Sequence, residues 1–396
     1  MFINNKLLGA VLITTSTCVG ASMVSLPMIS LSIGTLSTFL LLLVTWALAY
    51  NVSIINTNIS LFYQGSFSIS KLCQKSLPYY KVWIIADVLI IILFYLLLSA
   101  YMSALISISD LLLGNSSFLI GKKFFGYITI IVLLLFIVIN FQFLDISNKF
   151  IFLIKIVVFI IIIYLLSSQV GLTSIRRLQY DIIIDNNFFK AIPIFFTSFG
   201  FHGSIPFIIK YLNYNRQDIK KAFFWGSFIS LLIYSLWTFF TLSTLTTDSM
   251  NCILSMINTD MNVNSFISIL VQATNYSSLN YLIIIFTWLT IVTSFLGVGV
   301  GLYDYFLEKL RSTNIAFITK LKFTIITFFP PFFIACLGKD IFLHSLAIAA
   351  ISLVFLAIIF PCCIALKIEK GKKINIVVSL TFGLLILAVE IYNFLH

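Results

Sequence analysis

A histidine set between two glycines, inside an apolar run of membrane-helix length and four residues ahead of a proline, concentrates what chemistry this sequence offers. The stretch Phe195–Pro206 reads FFTSFGFHGSIP and contains Gly200, His202, Gly203 and Pro206. Histidine exchanges a proton near neutral pH, so an intramembrane one is a functional hypothesis; a neutral ring that hydrogen-bonds freed backbone is the equal alternative. Pro206 lacks an N–H, so the run is not expected to be a plain helix. Backbone that leaves the helical ladder at membrane depth is tolerated only where protein buries it or where it lines a cavity. A second break is predicted 180 residues upstream, where TSTCVGASMVSLP places Gly20 and Pro27 among small residues. Two interrupted helices at corresponding places in two halves of a chain point to a transporter's ligand site.

The elements that must hold these breaks follow from composition. Of the 396 residues, 61% are hydrophobic and 9% charged, with a mean hydropathy of +1.12; soluble domains carry about 25% charge. The chain is therefore expected to be a polytopic membrane protein. Long continuous runs such as Ile151–Leu166 and Tyr281–Gly301 lack the period-2 alternation of a barrel strand, which leaves helices. The first run is too long for the apolar core of a signal peptide, and only Lys6 precedes it. Six cysteines show no metal-ligand spacing and imply no disulfide framework.

Eleven spans are predicted: about Leu7–Ile33, Leu36–Phe62, Val82–Leu112, Phe125–Phe143, Phe150–Leu166, Phe188–Leu212, one from the basic turn Asn213–Lys221 to Leu245, Tyr281–Leu307, Leu321–Leu337, Phe342–Leu366 and Ile374–Leu395. Asp145–Lys149 reads as a turn between spans 4 and 5, and Thr246–Asn280 as an outer surface segment with one or two short helices. The expected organisation is a first five-helix repeat over 1–166, an outer linker over 167–187, a second, inverted repeat over 188–366 and an extra helix 11 over 367–396. Spans 1 and 6 then correspond, and both are the discontinuous ones. With the N-terminus inside, 18 basic residues fall in inner loops and flanks, Lys149 and Lys155 among them, against 6 in outer segments. The positive-inside rule thus predicts a cytoplasmic N-terminus and an outer C-terminus in a cytoplasmic (inner) membrane. Scattered among short loops, the formal charge of +11 gives no nucleic-acid face.

FFTSFGFHGSIP, the segment Thr17–Pro27, SFLGVGVGLYDY (Ser294–Tyr305) and FFPPF (Phe328–Phe332) together resemble the hydroxy and aromatic amino acid permease family, most closely its tyrosine- and tryptophan-specific members. That family belongs to the amino acid, polyamine and organocation superfamily. The resemblance covers essentially the whole chain and implies a LeuT-like 5+5 inverted repeat and import of an aromatic amino acid, tyrosine foremost, by symport with protons. Tryptophan, a hydroxy amino acid such as serine or threonine, and sodium coupling stay open. One departure is Ser22, where the family tends to have glycine; it narrows the space beside the unwound backbone and adds a hydroxyl.

On this reading the amides of Gly20, Ala21, Ser22 and Met23, with Val19 beside them, receive a substrate carboxylate at the positive end of a half-helix. Carbonyls around Phe199, Gly200, Phe201 and Gly203 receive the ammonium. A zwitterion needs no charged side chain, and neither broken run contains Arg or Asp. The coupling and gating candidates are His202, Thr293, Ser294 and Asp304. In the LeuT-like fold the Thr293–Ser294 region faces helix 1 at a cation site, so the hydroxyls form a sodium site or its remnant, or else bond back to their own helix. Asp304 belongs to an inner gate or to proton release, or else meets Lys309 and Arg311 at the interface together with Glu308. His344 reads as a surface residue and Glu390 as structural. Glycines 297, 299 and 301, every second residue in an apolar helix, serve close packing rather than phosphate.

An integral membrane enzyme would show His, Asp or Cys clusters in interfacial loops, and these loops are short and without them. A channel would need a polar lining repeated around a pore. The expected partners are a small-molecule amino acid, a co-transported cation and the lipid bilayer, with no cofactor and no metal.

Overall fold

The computed structural model describes residues 5–65, 67–78, 81–112, 126–127, 129–131, 141–171, 178, 184–256, 262–274, 277–310, 317–336 and 341–395. In hydrocarbon each backbone polar group must be satisfied within its own segment, so the apolar runs become helices. The first is interrupted as expected: α1 (Asn5–Cys18) and α2 (Ser22–Ile33) are bent by 53°. Next come α3 (Thr35–Phe62), a short interfacial α4 (Ile69–Ser76), α5 (Val82–Leu112) and α6 (Phe141–Gln169). The second interrupted run comprises α7 (Asn186–Ser198), a 3-10 turn (Phe201–Ser204) and α8 (Ile205–Tyr211). Then follow α9 (Arg216–Thr244), α10 (Thr247–Met256), α11 (Val263–Gln272), α12 (Ser277–Leu310), α13 (Phe317–Cys336), α14 (Ile341–Val354), α15 (Phe360–Lys367) and α16 (Lys373–Leu395). A π-helical turn (Phe355–Ile359) joins α14 to α15.

Among the described residues eight helices are long and apolar enough to cross a membrane, or nine if α1 and α2 form one bent span. Span 4 of the sequence reading lies largely outside the described residues. Span 9 corresponds to α13, whose stretch Leu321–Cys336 is apolar but short. The Thr246–Asn280 segment holds two short helices, α10 and α11. The turn expected at Asp145–Lys149 is replaced by continuous helix, because α6 starts at Phe141. That shift moves Lys155 from a flank to mid-helix.

Packing is organised around the breaks. α5 lies against α12, α13 and α14; α1 and α2 lie on α9; α7 lies on α2, α3 and α14; α6 packs on α12 and α9. α1 approaches α9 at Gly226, where an added Cβ would overlap the Thr14 side chain and lie 3.0 Å from Val11 O. Thr15 Oγ1 also donates to Gly226 O there, at 3.1 Å. Glycine is required for that approach.

Pro27 was expected to belong to the first break, but it lies inside α2. The reason is a replacement donor. A proline at 27 leaves the carbonyl of residue 23 without its helical N–H, and Trp237 Nε1 of α9 donates to Met23 O. The arrangement recurs at two other prolines. Pro330 frees Ile326 O, which accepts from Tyr95 Oη of α5 at 2.7 Å. Pro361 frees Ala357 O, which accepts from Asn56 Nδ2 of α3 at 3.4 Å. Neighbouring helices thus supply the bonds that these prolines remove, and the helices continue.

Candidate substrate and cation site

The first break is built by bonds that stop α1 at Cys18 and restart α2 at Ser22. Val19 N donates to Thr15 O at 2.9 Å, and the new helix closes its first turn with Met23 N on Gly20 O at 3.0 Å and Ser25 N on Ala21 O at 3.2 Å. Ala21 N donates sideways, to Ser294 Oγ of α12 at 3.1 Å, and Ser294 Oγ in turn donates to Thr290 O at 2.9 Å. A Cβ on Gly20 would overlap Ser294 Oγ, so glycine is what lets α12 reach the broken backbone.

Into this break comes a residue that sequence reasoning had placed at the membrane surface. Lys155, from the middle of α6, is only 1% exposed, and its Nζ donates to Val19 O at 2.6 Å. It also reaches Thr293 Oγ1 at 3.4 Å, while Thr293 donates onward to Thr290 O at 3.0 Å. The Phe152 ring centroid lies 5.1 Å from the same nitrogen. A buried ammonium is costly unless oxygens replace its water; a freed carbonyl and a hydroxyl are what surround it. Among the described residues no carboxylate pairs with it. The signal that would have found it is a lone lysine with apolar sequence on both sides, IFLI before and IVVFIIII after.

The second break starts where α7 ends at Ser198. Phe199 N bonds Phe196 O at 3.2 Å and Phe201 N bonds Phe199 O at 2.9 Å, after which the 3-10 turn leads into α8 with Pro206 in its first turn. One hydroxyl ties the breaks together. Tyr234 Oη of α9, fully buried, reaches Cys18 O at the end of α1 and lies 2.8 Å from Ser198 O at the end of α7. Its single proton serves one carbonyl at a time. Two helix C-termini, both poles of partial negative charge, therefore converge on one tyrosine.

The expected site residues distribute as follows. Val19, Gly20, Ala21, Ser22 and Met23 form the first break; Phe199, Gly200, Phe201 and Gly203 form the second; Thr293 and Ser294 meet the first. A Cβ on Gly200 would sit 2.9 Å from Thr197 O, whereas one on Gly203 would meet nothing within 4 Å. His202 stacks on Phe201 with centroids 4.9 Å apart and lies 6.2 Å from Phe196. Neither ring nitrogen makes a hydrogen bond of good geometry among the described residues, and the backbone of Ala49 in α3 is a polar neighbour of the ring. Asp304 is exposed and ten residues beyond Ser294, about 15 Å along α12, so it is not brought to the breaks. Lys309, expected to meet Asp304, instead pairs with Asp87 of α5, to which Tyr305 Oη also donates. The Glu308 side chain and Arg311 lie outside the described residues.

A family model described as the tryptophan/tyrosine permease family matches residues 3–394. The chain belongs to that family. Its curated relatives include tyrosine-specific transport system 1 of Haemophilus influenzae, 28% identical over 97% of this chain and 96% of that protein. A tryptophan-specific transport protein of Pseudomonas aeruginosa is 31% identical over 52% of this chain and 51% of that protein. Glutamine transporter 2 of Aliivibrio fischeri is 25% identical over 98% of this chain and 100% of that protein. The permease is thus a multi-pass transport protein for amino acids and not an enzyme.

Proposed function

We propose that this permease imports an aromatic amino acid, tyrosine foremost, across the cytoplasmic membrane by proton symport, with Lys155 as the group that carries the proton. The observation that carries this reading is the Lys155 ammonium on Val19 O and Thr293 Oγ1, inside the break where substrate would bind. An ammonium and a sodium ion compete for the same oxygens, so a lysine here favours a proton over sodium. The cycle balances simply. Lys155 takes a proton from the outer side, holds the break closed as the ammonium, and releases that proton inward as the substrate leaves, returning as a neutral amine. On this reading His202 shapes the second break through its aromatic stacking, and Asp304 takes no part in coupling.

The substrate site proposed for the zwitterion follows the backbone. Among the described residues the amide of Gly20, between α1 and α2, makes no turn or cap bond, and with the first-turn amides at the start of α2 it suits a carboxylate. The carbonyls that share Tyr234 suit the ammonium. An inverted 5+5 repeat is supported by reciprocal packing, since α1 and α2 lie on α9 while α7 and α8 lie on α3.

The aromatic side chain rests on the family and on the Haemophilus relative's tyrosine specificity. The Aliivibrio relative, named for glutamine, makes a polar substrate the rival. The test is uptake of labelled tyrosine, tryptophan, serine and glutamine into proteoliposomes under separate proton and sodium gradients. Tyrosine accumulation under a pH gradient alone is expected; accumulation that requires sodium would overturn the proton assignment.

A further inference from the structure

Away from the breaks, a cavity of about 350 Å³ opens between α3, the first turns of α9 and the start of α16. Three cationic side chains line it, Arg216, Lys220 and Lys372, and no carboxylate does. They come from two separate parts of the chain, and Arg216 is tied to α3. Arg216 Nη2 donates to Asn58 Oδ1 of α3 at 2.9 Å, which uses one of the five N–H donors of the guanidinium. Lys220 lies one turn along the same face of α9. Lys372 follows Gly371, whose φ of +113° gives the turn into α16. The frame is tied by Asn51, whose Nδ2 donates to Asn375 O at 3.0 Å and Ser379 Oγ at 2.8 Å, joining α3 to α16.

Three like charges around one hollow repel unless an anion offsets them, and a tetrahedral oxyanion accepts from several such donors together. The hollow is also larger than a single small ion needs, since a water occupies about 30 Å³. Beside it on α16, Ile374, Val377 and Val378 are 70%, 52% and 49% exposed. In a membrane span those side chains meet acyl chains. We propose that the cavity binds the phosphate of an anionic phospholipid headgroup, with its acyl chains lying along α16. Basic pockets between spans recognise such headgroups by charge and shape.

The test uses the full chain purified in a neutral detergent and incubated with phosphatidylglycerol, with phosphatidylcholine, or with inorganic phosphate alone, bound ligand being read by native mass spectrometry. Phosphatidylglycerol should be retained in preference to phosphatidylcholine. The triple variant Arg216→Gln, Lys220→Gln, Lys372→Gln should lose that retention by about tenfold or more. A charge-matched control, Lys221→Gln, Lys370→Gln, Lys373→Gln, should keep it, which separates this cavity from general surface charge. Ile54→Trp fills the hollow without removing charge and should also lose the lipid, so the proposal stays testable if the triple variant folds poorly. Equal loss in the control triple, or no preference over phosphatidylcholine, would overturn the proposal. So would binding of inorganic phosphate alone that excludes the lipid, since it would make the site one for soluble phosphate.

Discussion

Lys155 and His202 are the two basic candidates for carrying a proton at the breaks, and their surroundings separate their roles. Lys155 has oxygens within reach, so it is in a position to trade a proton against a change in backbone. His202 has aromatic rings on Phe201 and Phe196 and no bond to a ligand-facing carbonyl among the described residues. If Lys155 carries the coupled proton, Lys155→Met should still exchange tyrosine across the membrane but lose accumulation driven by a pH gradient. One proton per substrate supports about tenfold accumulation per pH unit, so the variant should fall to near equilibration. His202→Gln should keep most of that accumulation. The opposite pair of results would return the coupling role to the histidine. At Gly20 the neighbouring Ser294 hydroxyl leaves no room for a side chain, so Gly20→Leu should abolish uptake with the protein still inserted, while Gly203→Ala should transport normally. Labelled-substrate uptake normalised to the amount in the membrane checks both.

The helices themselves show what was legible in the sequence. α5 and α16 have bounds within one residue of those read from hydropathy, because long apolar runs with polar ends have one solution in a bilayer. Both broken helices, and the place of the first break at Gly20, were legible from Gly20, Gly200 and Gly203, but the part played by Pro27 was not. Pro27 drew attention as a breaker, yet its orphaned carbonyl is served by Trp237, a residue 214 positions away that no local pattern reveals. Lys155 was lost for a related reason: placing the helix start at Phe150 rather than Phe141, nine residues late, turns a mid-span lysine into a flank. The Trp237 bond makes a testable claim about coupling between elements. Trp237→Phe should cost about 1–3 kcal/mol in stability because it leaves a buried carbonyl unpaired. Pro27→Ala restores the N–H to Met23 O, so the same Trp237→Phe change in that background should cost distinctly less. Thermal unfolding of the four proteins gives the cycle, and equal costs in both backgrounds would mean that the indole acts through packing alone.

At the scale of the whole molecule, orientation rests on charge rather than on any contact within the fold. Removing Lys155 from the inner group leaves 17 inner basic residues against 6 outer, so the buried lysine does not alter the direction that the positive-inside rule assigns. The basic cavity at Arg216, Lys220 and Lys372 lies on the side assigned to the cytoplasm, while the α10–α11 segment, which carries no basic residue from Thr246 to Asn280, lies on the other. Two single cysteines in a cysteine-free background discriminate these faces. The background is needed because Cys252, Cys336 and Cys363 are exposed. Lys372→Cys should react with a membrane-impermeant thiol reagent only in inside-out vesicles, and Ser249→Cys only in right-side-out ones. An odd number of spans is then fixed by one more position, since a C-terminus on the outer face requires that a cysteine at Asn393 be labelled from the same side as Ser249. Labelling of both Asn393→Cys and Lys372→Cys from one side would mean that α16 does not cross the bilayer, and the inverted-repeat arrangement would lose its eleventh helix while keeping the two breaks that hold the site.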